Sequence, residues 1–142
     1  MSGAIQATAD AVLDLLRAAP NLTVYPEAEP GDNVQVVPAG AGPPYVAVHL
    51  GFDYATGPSG LHFPSTRVIA RAYCHCVGHN DISARAVAQM VTTALLDVVP
   101  TVPGRSCYPI RFESGAPPRT DESTGRTVTD LAMIFRLETL PG

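Results

Sequence analysis

The sequence predicts an α+β domain in which an antiparallel sheet of about four to five strands is covered on one face by two helices. Three observations lead there. Two segments repeat apolar residues at spacings of three and four, and each is closed by a proline. Four longer segments alternate apolar and polar residues, the period of a half-buried strand. The order helix, short strand, hairpin, helix, hairpin is that of a two-layer fold whose sheet is antiparallel and covered on one side. No internal repeat, heptad pattern or linker divides the 142 residues, so residues 1–142 read as one domain. A chain of this length buries about two thirds of its unfolded surface and folds without a disulfide or metal.

The first helix is expected from Ala4 to Ala19, with Ile5, Ala9, Val12, Leu13 and Leu16 on one side and Gln6, Asp10, Asp14 and Arg17 on the other; Pro20 ends it. Leu22–Tyr25 is a short strand candidate. Pro26–Pro44 is rich in Pro and Gly and reads as a long loop, with Val34–Val37 as its one apolar island. From Tyr45 to Asp53, Val46, Val48, Leu50 and Phe52 face one way and Tyr45, Ala47, His49 and Asp53 the other. Gly57-Pro58-Ser59-Gly60 turns the chain into a strand over Thr66–Val77. There Val68, Ala70, Ala72, Cys74 and Cys76 form a small apolar face, opposed by Arg67, Ile69, Arg71, Tyr73 and His75.

Asn80 or Asp81 can cap a second helix, expected over Ile82–Val98 with Val87, Val91, Leu95 and Val98 in a stripe and Ala86, Met90 and Ala94 beside it. Val102–Arg105 is a turn. Cys107–Glu113 alternates again, with Tyr108, Ile110 and Phe112 on one face and Arg111 and Glu113 on the other, outward one. Ser114–Arg126 is polar and reads as a second long loop. The last strand, Thr127–Thr139, places Leu131, Met133, Phe135 and Leu137 inward and Asp130, Arg136 and Glu138 outward.

Composition narrows the chemistry. All nine basic residues are Arg and none is Lys, which excludes a phosphate-binding loop with its Lys, a Schiff-base Lys and a Lys general base. The net charge of −4 argues against a dedicated nucleic-acid binder. Met1–Gln6 lacks the features of a secretory signal, and no apolar run approaches the length of a membrane span. Three cysteines, two of them one residue apart, do not form a disulfide framework and fit a reducing setting.

Cys74-His75-Cys76-x-x-His79 is the one cluster of metal-ligand side chains. On a strand, Cys74 and Cys76 share a face while His75 points away, and the neighbours of the two cysteines are core-like. Structural cysteines are the plainer reading; a small metal-binding domain, or an enzyme using Cys76 with His79 as base, is the alternative of a different class. The G-x-G of residues 40–42 precedes a strand and opens no helix, and Ser59 lacks the strand-to-helix elbow of a nucleophile. No catalytic residue, metal ligand or cofactor is assigned.

The outward sheet face carries more. Arg67, Arg71, Arg111, Arg136 and Glu138, with Arg119 in the polar loop, are the candidate contacts to other copies or partners. A solvated face of cross-strand ion pairs is the plain alternative. Arg is the base that protein interfaces favour, and the two long Pro/Gly segments exceed what a compact domain of this size needs.

The order of parts resembles the tail terminator (tail-completion) proteins of long-tailed, non-contractile phages. The features are the opening helix ending at Pro20, Tyr45-Val46-Ala47-Val48 at the start of a strand, Ile69–Cys76 leading through Gly78 into the helix from Asp81, and Met133–Glu138 in a strand near the end. The resemblance implies a non-enzymatic protein of the virion, made in the host cytoplasm and placed in the tail-neck region. It implies a homohexameric ring that caps the tail tube protein, ends its polymerisation and joins the head-side connector protein. Phage DNA would only pass through the lumen, and no membrane is involved. Six copies at −4 each would give the ring about −24, a sign that keeps DNA from sticking. Another head–tail neck subunit, such as a head-closure protein, is the alternative within the same particle.

Overall fold

The structure is a computed structural model that describes residues 4–25, 37, 42–55, 67–122 and 127–141. The elements follow in the order α1 (Ala4–Arg17), β1 (Val24–Tyr25), β2 (Tyr45–Ala55), β3 (Arg67–Gly78), α2 (Asp81–Leu95), β4 (Arg105–Cys107), β5 (Arg111–Gly115), β6 (Arg119–Asp121) and β7 (Val128–Pro141). The α+β class stands, and both helices pack on one face of the sheet. The sheet is larger than expected and mixed: the described residues form seven strands, and β1 lies parallel to β2.

The β2–β3 hairpin pairs as predicted, and β3 also pairs with β7, a contact that the order of elements did not specify. β2 runs antiparallel to β3 from Tyr45↔Val77 to Ala55↔Arg67, and β3 runs antiparallel to β7 from Val68↔Thr139 to Gly78↔Thr129. The other edge of β7 is shared in succession by β6, β5 and β4. This is the main departure from the expected topology. Cys107–Glu113 is two strands, interrupted at residues 108–110, where Ile110 N–H donates to Val98 O and Asp97 N–H donates to Ile110 O. Having left the sheet ladder to pair with the end of α2, Ile110 is buried while Tyr108 and Phe112 stay about half exposed. Ser114–Asp121, expected as loop, supplies the end of β5 and all of β6; a bulge falls between Phe112 and Ser114.

The inward face of β3 has the small residues that the pattern predicts. Val68, Ala70, Ala72, Cys74 and Cys76 are all at most 3% exposed, and their small size lets Val12 and Leu16 of α1 and Val87, Val91 and Leu95 of α2 reach the sheet. Phe135 and Leu137 of β7 complete this core. Within α2 the buried stripe is Ala84, Val87, Ala88, Val91 and Leu95. Val98 lies beyond the helix, which ends three residues earlier than expected, and Ala86 is exposed. The outward face also has a small apolar cluster: Tyr45, Ala47, Val77 and Val128 are buried, with Tyr25 and Val37 against them. The turn at residues 57–60 and most of the Pro26–Pro44 segment lie outside the described residues.

Two glycines are required by geometry. In the Val102–Arg105 turn, Arg105 N–H donates to Val102 O across Pro103 and Gly104, and Gly104 has φ +73°, the conformation a type II turn needs at that position. Gly78 links β3 to α2 so tightly that a Cβ there would lie 2.3 Å from Ala84 N and 2.6 Å from Ser83. Beside it, Asn80 Oδ1 accepts from Ser83 N–H at 2.9 Å and caps α2. Gly78→Ala is therefore expected to cost about 3 kcal/mol or more by overpacking, and Asn80→Ala about 1 kcal/mol by loss of the cap. Urea unfolding midpoints of the two variants check the order; equal midpoints would refute the close strand-to-helix junction.

Candidate functional site

Cross-strand register sets the outward face. Arg71 lies opposite Arg136, and Arg136 lies opposite Arg111 on its other side, so three arginines stand abreast across β3, β7 and β5. Like charges opposite one another are destabilising unless acids come between them. Here they do. Arg71 Nη1 lies 2.7 Å from Asp53 Oδ2, and its Nε donates to both carboxylate oxygens of Glu113 at 3.0 and 3.2 Å. Arg136 approaches Glu113 at 3.9 Å and bonds Glu138 Oε1 at 2.9 Å; the same Glu138 oxygen receives Arg67 Nη2 at 2.9 Å.

The result is an alternating chain, Asp53–Arg71–Glu113–Arg136–Glu138–Arg67, with equal numbers of acids and bases. Its hydrogen bonds to Glu113, and then to Asp53, hold the Arg71 guanidinium above its ordinary pKa. Nε of Arg136 is buried without a hydrogen-bond partner among the described residues.

Of the predicted contact residues, the fold brings Arg67, Arg71, Arg136 and Glu138 into this ladder. It does not bring Arg111 and Arg119. Arg111 turns to Asp97, just past α2. Arg119 reaches towards Asp130 at 3.9 Å, with its own side chain 74% exposed. Asp130 keeps the outward face that its alternation gives it, but it is buried there, and both its carboxylate oxygens lie 3.1–3.2 Å from His75 Nδ1. The His75 ring stands edge-on to His49, centroids 6.0 Å apart. Glu113 and Asp53 are the ladder members that the sequence reading did not single out as sites. Alternation had placed both residues on the outward face, but their roles depend on strand pairing.

The cysteine cluster does not assemble into a site. Cys74 and Cys76 lie in the core while His79 is exposed. Burial pushes the Cys74 thiol up to about 12, and burial, with Cys74 and Asp130 nearby, raises that of Cys76 as well. Cys107, half buried, is also raised by burial. Among the described residues no group of three His, Cys, Asp or Glu side chains is placed to hold a metal. No helix among the described residues is long and apolar enough to cross a membrane.

A separate apolar groove of about 380 Å³ lies between the helices, lined by Leu15, Ala18, Ala19 and Pro20 at the end of α1 and by Gln89, Met90, Thr93 and Ala94 of α2.

With the fold and these surfaces in view, comparison with known proteins is informative at one level. No protein-family model matches the chain, and no curated protein matches it in sequence. Among solved structures it is similar to a chain of a structure described as the "Virion of native gene transfer agent (GTA) particle". The TM-score is 0.69 at 18% identity, and 99% of each chain is covered. At that identity the likeness is one of fold, and it runs the whole length of both chains.

The buried thiols make a testable link to pH. Their ordinary pKa is 9.0 and their folded values lie higher, so above pH 9 the unfolded chain releases thiol protons that the native chain retains. Native stability should then fall as pH rises from about 9 towards 12. A Cys74→Ala/Cys76→Ala variant should show a shallower decline, read from urea unfolding at pH 8 and pH 10.5. In the native wild type at pH 8, iodoacetamide should label Cys107 well before either core thiol; rapid labelling of Cys74 or Cys76 would contradict their burial.

Proposed function

We propose that this chain is a structural protein of a phage-like virion and, more specifically, a tail terminator, with residues 1–142 acting as one domain. The observation that carries the reading is the end-to-end similarity in fold to a chain of a gene transfer agent virion. The sequence pattern of the terminator family points the same way. In this reading the chain is not an enzyme. Six copies form a ring on the end of the tail tube, stop its growth and present a surface to the head-side connector, with DNA passing through the lumen.

The outward face suits such a role physically. A charge-balanced ladder of arginines and carboxylates has little net attraction for DNA, and Arg forks are the cationic groups that protein contacts favour. Isolated exposed pairs contribute only about 0–1 kcal/mol each to the fold, so a connected row of them is better explained by a surface that must be held in one arrangement.

Purified protein is expected to give a hexamer by light scattering, or a concentration-dependent equilibrium between monomer and ring. Added to polymerising tail tube subunits, it should shorten the tubes. Tube lengths unchanged by a ring that instead binds the connector would move the chain to another neck position; a monomer that does neither would overturn the reading. Arg71→Glu and Arg136→Glu are each expected to abolish ring formation, with the monomer still folded by far-UV circular dichroism. The swap Arg71→Glu/Glu113→Arg should restore thermal stability without restoring the ring. Assembly retained in both single variants would return this face to solvent.

A further inference from the structure

We infer that the groove between α1 and α2 receives the Val99–Tyr108 corner of a neighbouring copy of the same chain; the inference rests on the ring reading above and names the contact that would build the ring. The groove forms because α2 is apolar over a wider arc than the sheet covers. Met90 and Ala94 lie beside the buried stripe and, with Thr93, face Leu15, Ala18 and Ala19 across about 380 Å³ of open volume. Past Met90 it meets a smaller hollow of about 60 Å³ beside Leu22 and Ser83. Among the described residues, no charged one lines either space. A charged segment entering here would lose its hydration and find no ion to replace it, so the occupant must be uncharged and apolar.

The chain carries such a segment. Residues 98–110 contain a single charge, Arg105, and its guanidinium is turned inward to Thr139, with Nε 2.7 Å from Oγ1 and Nη2 3.0 Å from the carbonyl oxygen. The hydrogen bonds joining Asp97 and Val98 to Ile110 hold the two ends of this segment together, with Val99 one residue and Tyr108 two residues in from the pairing. Val99 is 58% and Tyr108 51% exposed, large values for side chains held on an ordered turn. The Arg111–Asp97 ion pair flanks this apolar corner, giving the arrangement of an interface anchor: an aromatic and aliphatic centre with a polar rim.

Position decides the symmetry. α1 packs against α2, β2 and β3, so the groove lies over that side of the sheet, whereas the corner belongs to the opposite edge, beside β4 and β5. Corner and groove are therefore different patches of the surface. A contact between them is head-to-tail, and it generates a ring when its rotation closes and a filament when it does not.

Cysteine cross-linking tests the contact directly. One protein carries Thr93→Cys and a second Tyr108→Cys, each with Cys107→Ser to remove the adjacent native thiol; both new cysteines are at exposed positions and leave the core unchanged. Mixed and oxidised, the two are expected to give covalent heterodimers in at least tenfold excess over either protein oxidised alone. A single chain bearing both cysteines should give a ladder on a non-reducing gel that stops at the closed ring. Heterodimers with an open-ended ladder would uphold the contact and overturn the ring. Rings seen by light scattering without excess heterodimer would overturn the contact and leave the ring standing. Absence of both would overturn both.

Discussion

Where Ala72 lies opposite Phe135, Arg71 lies opposite Arg136 one residue away, and a single register of β3 on β7 therefore serves both faces of the sheet. On the inner face it lines Ala70, Ala72, Cys74 and Cys76 against Leu137, Phe135, Met133 and Leu131, small residues beside large ones, which leaves room for the helices. On the outer face it puts Arg71 beside Arg136, Ile69 beside Glu138 and Val77 beside Asp130. A slip of one residue would send the core of one strand to solvent and its arginines into the interior, so burial of the inner face dictates the charge order of the outer one. Gly78 closes the arrangement by turning the same strand straight into α2 at a distance no side chain tolerates.

That charge order gives meaning to the absence of lysine. Arg71 reaches Asp53 with one nitrogen and Glu113 with another, and Arg136 bridges Glu113 and Glu138. A guanidinium presents several donors in a fixed plane and can hold two carboxylates at once, whereas an ammonium is a single mobile point charge. Three cations in one cross-strand row are tolerable only with such bridging. The composition that first served to exclude lysine chemistries is thus also what the ladder requires.

Legibility in the sequence followed how local each feature is. Both helices and the three long strands were readable because their periods of 3.6 and 2 are written in consecutive residues, and Pro20, Gly78 and Asn80 mark their ends by backbone chemistry alone. The segment after α2 misled. Tyr108, Ile110 and Phe112 alternate as a strand should, yet Ile110 pairs with Val98 and the strand breaks there, because the chain must clear the end of α2 before returning to β7. Ser114–Asp121 looked like loop because it has no apolar period to read, and both faces of Ser114–Thr120 are exposed. It is held by backbone bonding to β7, which any sequence short of proline can supply. The candidate site divided in a similar way: the ladder members on β3 and β7 were found from alternation, while Arg111 and Arg119 took partners outside the ladder, Asp97 just past α2 and Asp130 across from β6.

By itself the sequence determined the class of fold, the inward face of each long strand, the buried character of Cys74 and Cys76, and the exclusion of lysine-dependent chemistry, since all of these follow from residue type and period. Only the tertiary structure decided that β7 carries three short strands on one edge and that Asp130 is buried beneath His75. It alone matched Glu113 and Asp53 to Arg71 and left an uncharged groove open between the helices. The reason is that each of these depends on which residues meet across strands or helices far apart in the chain, and a one-dimensional pattern records the face a residue takes but not the neighbour it finds there.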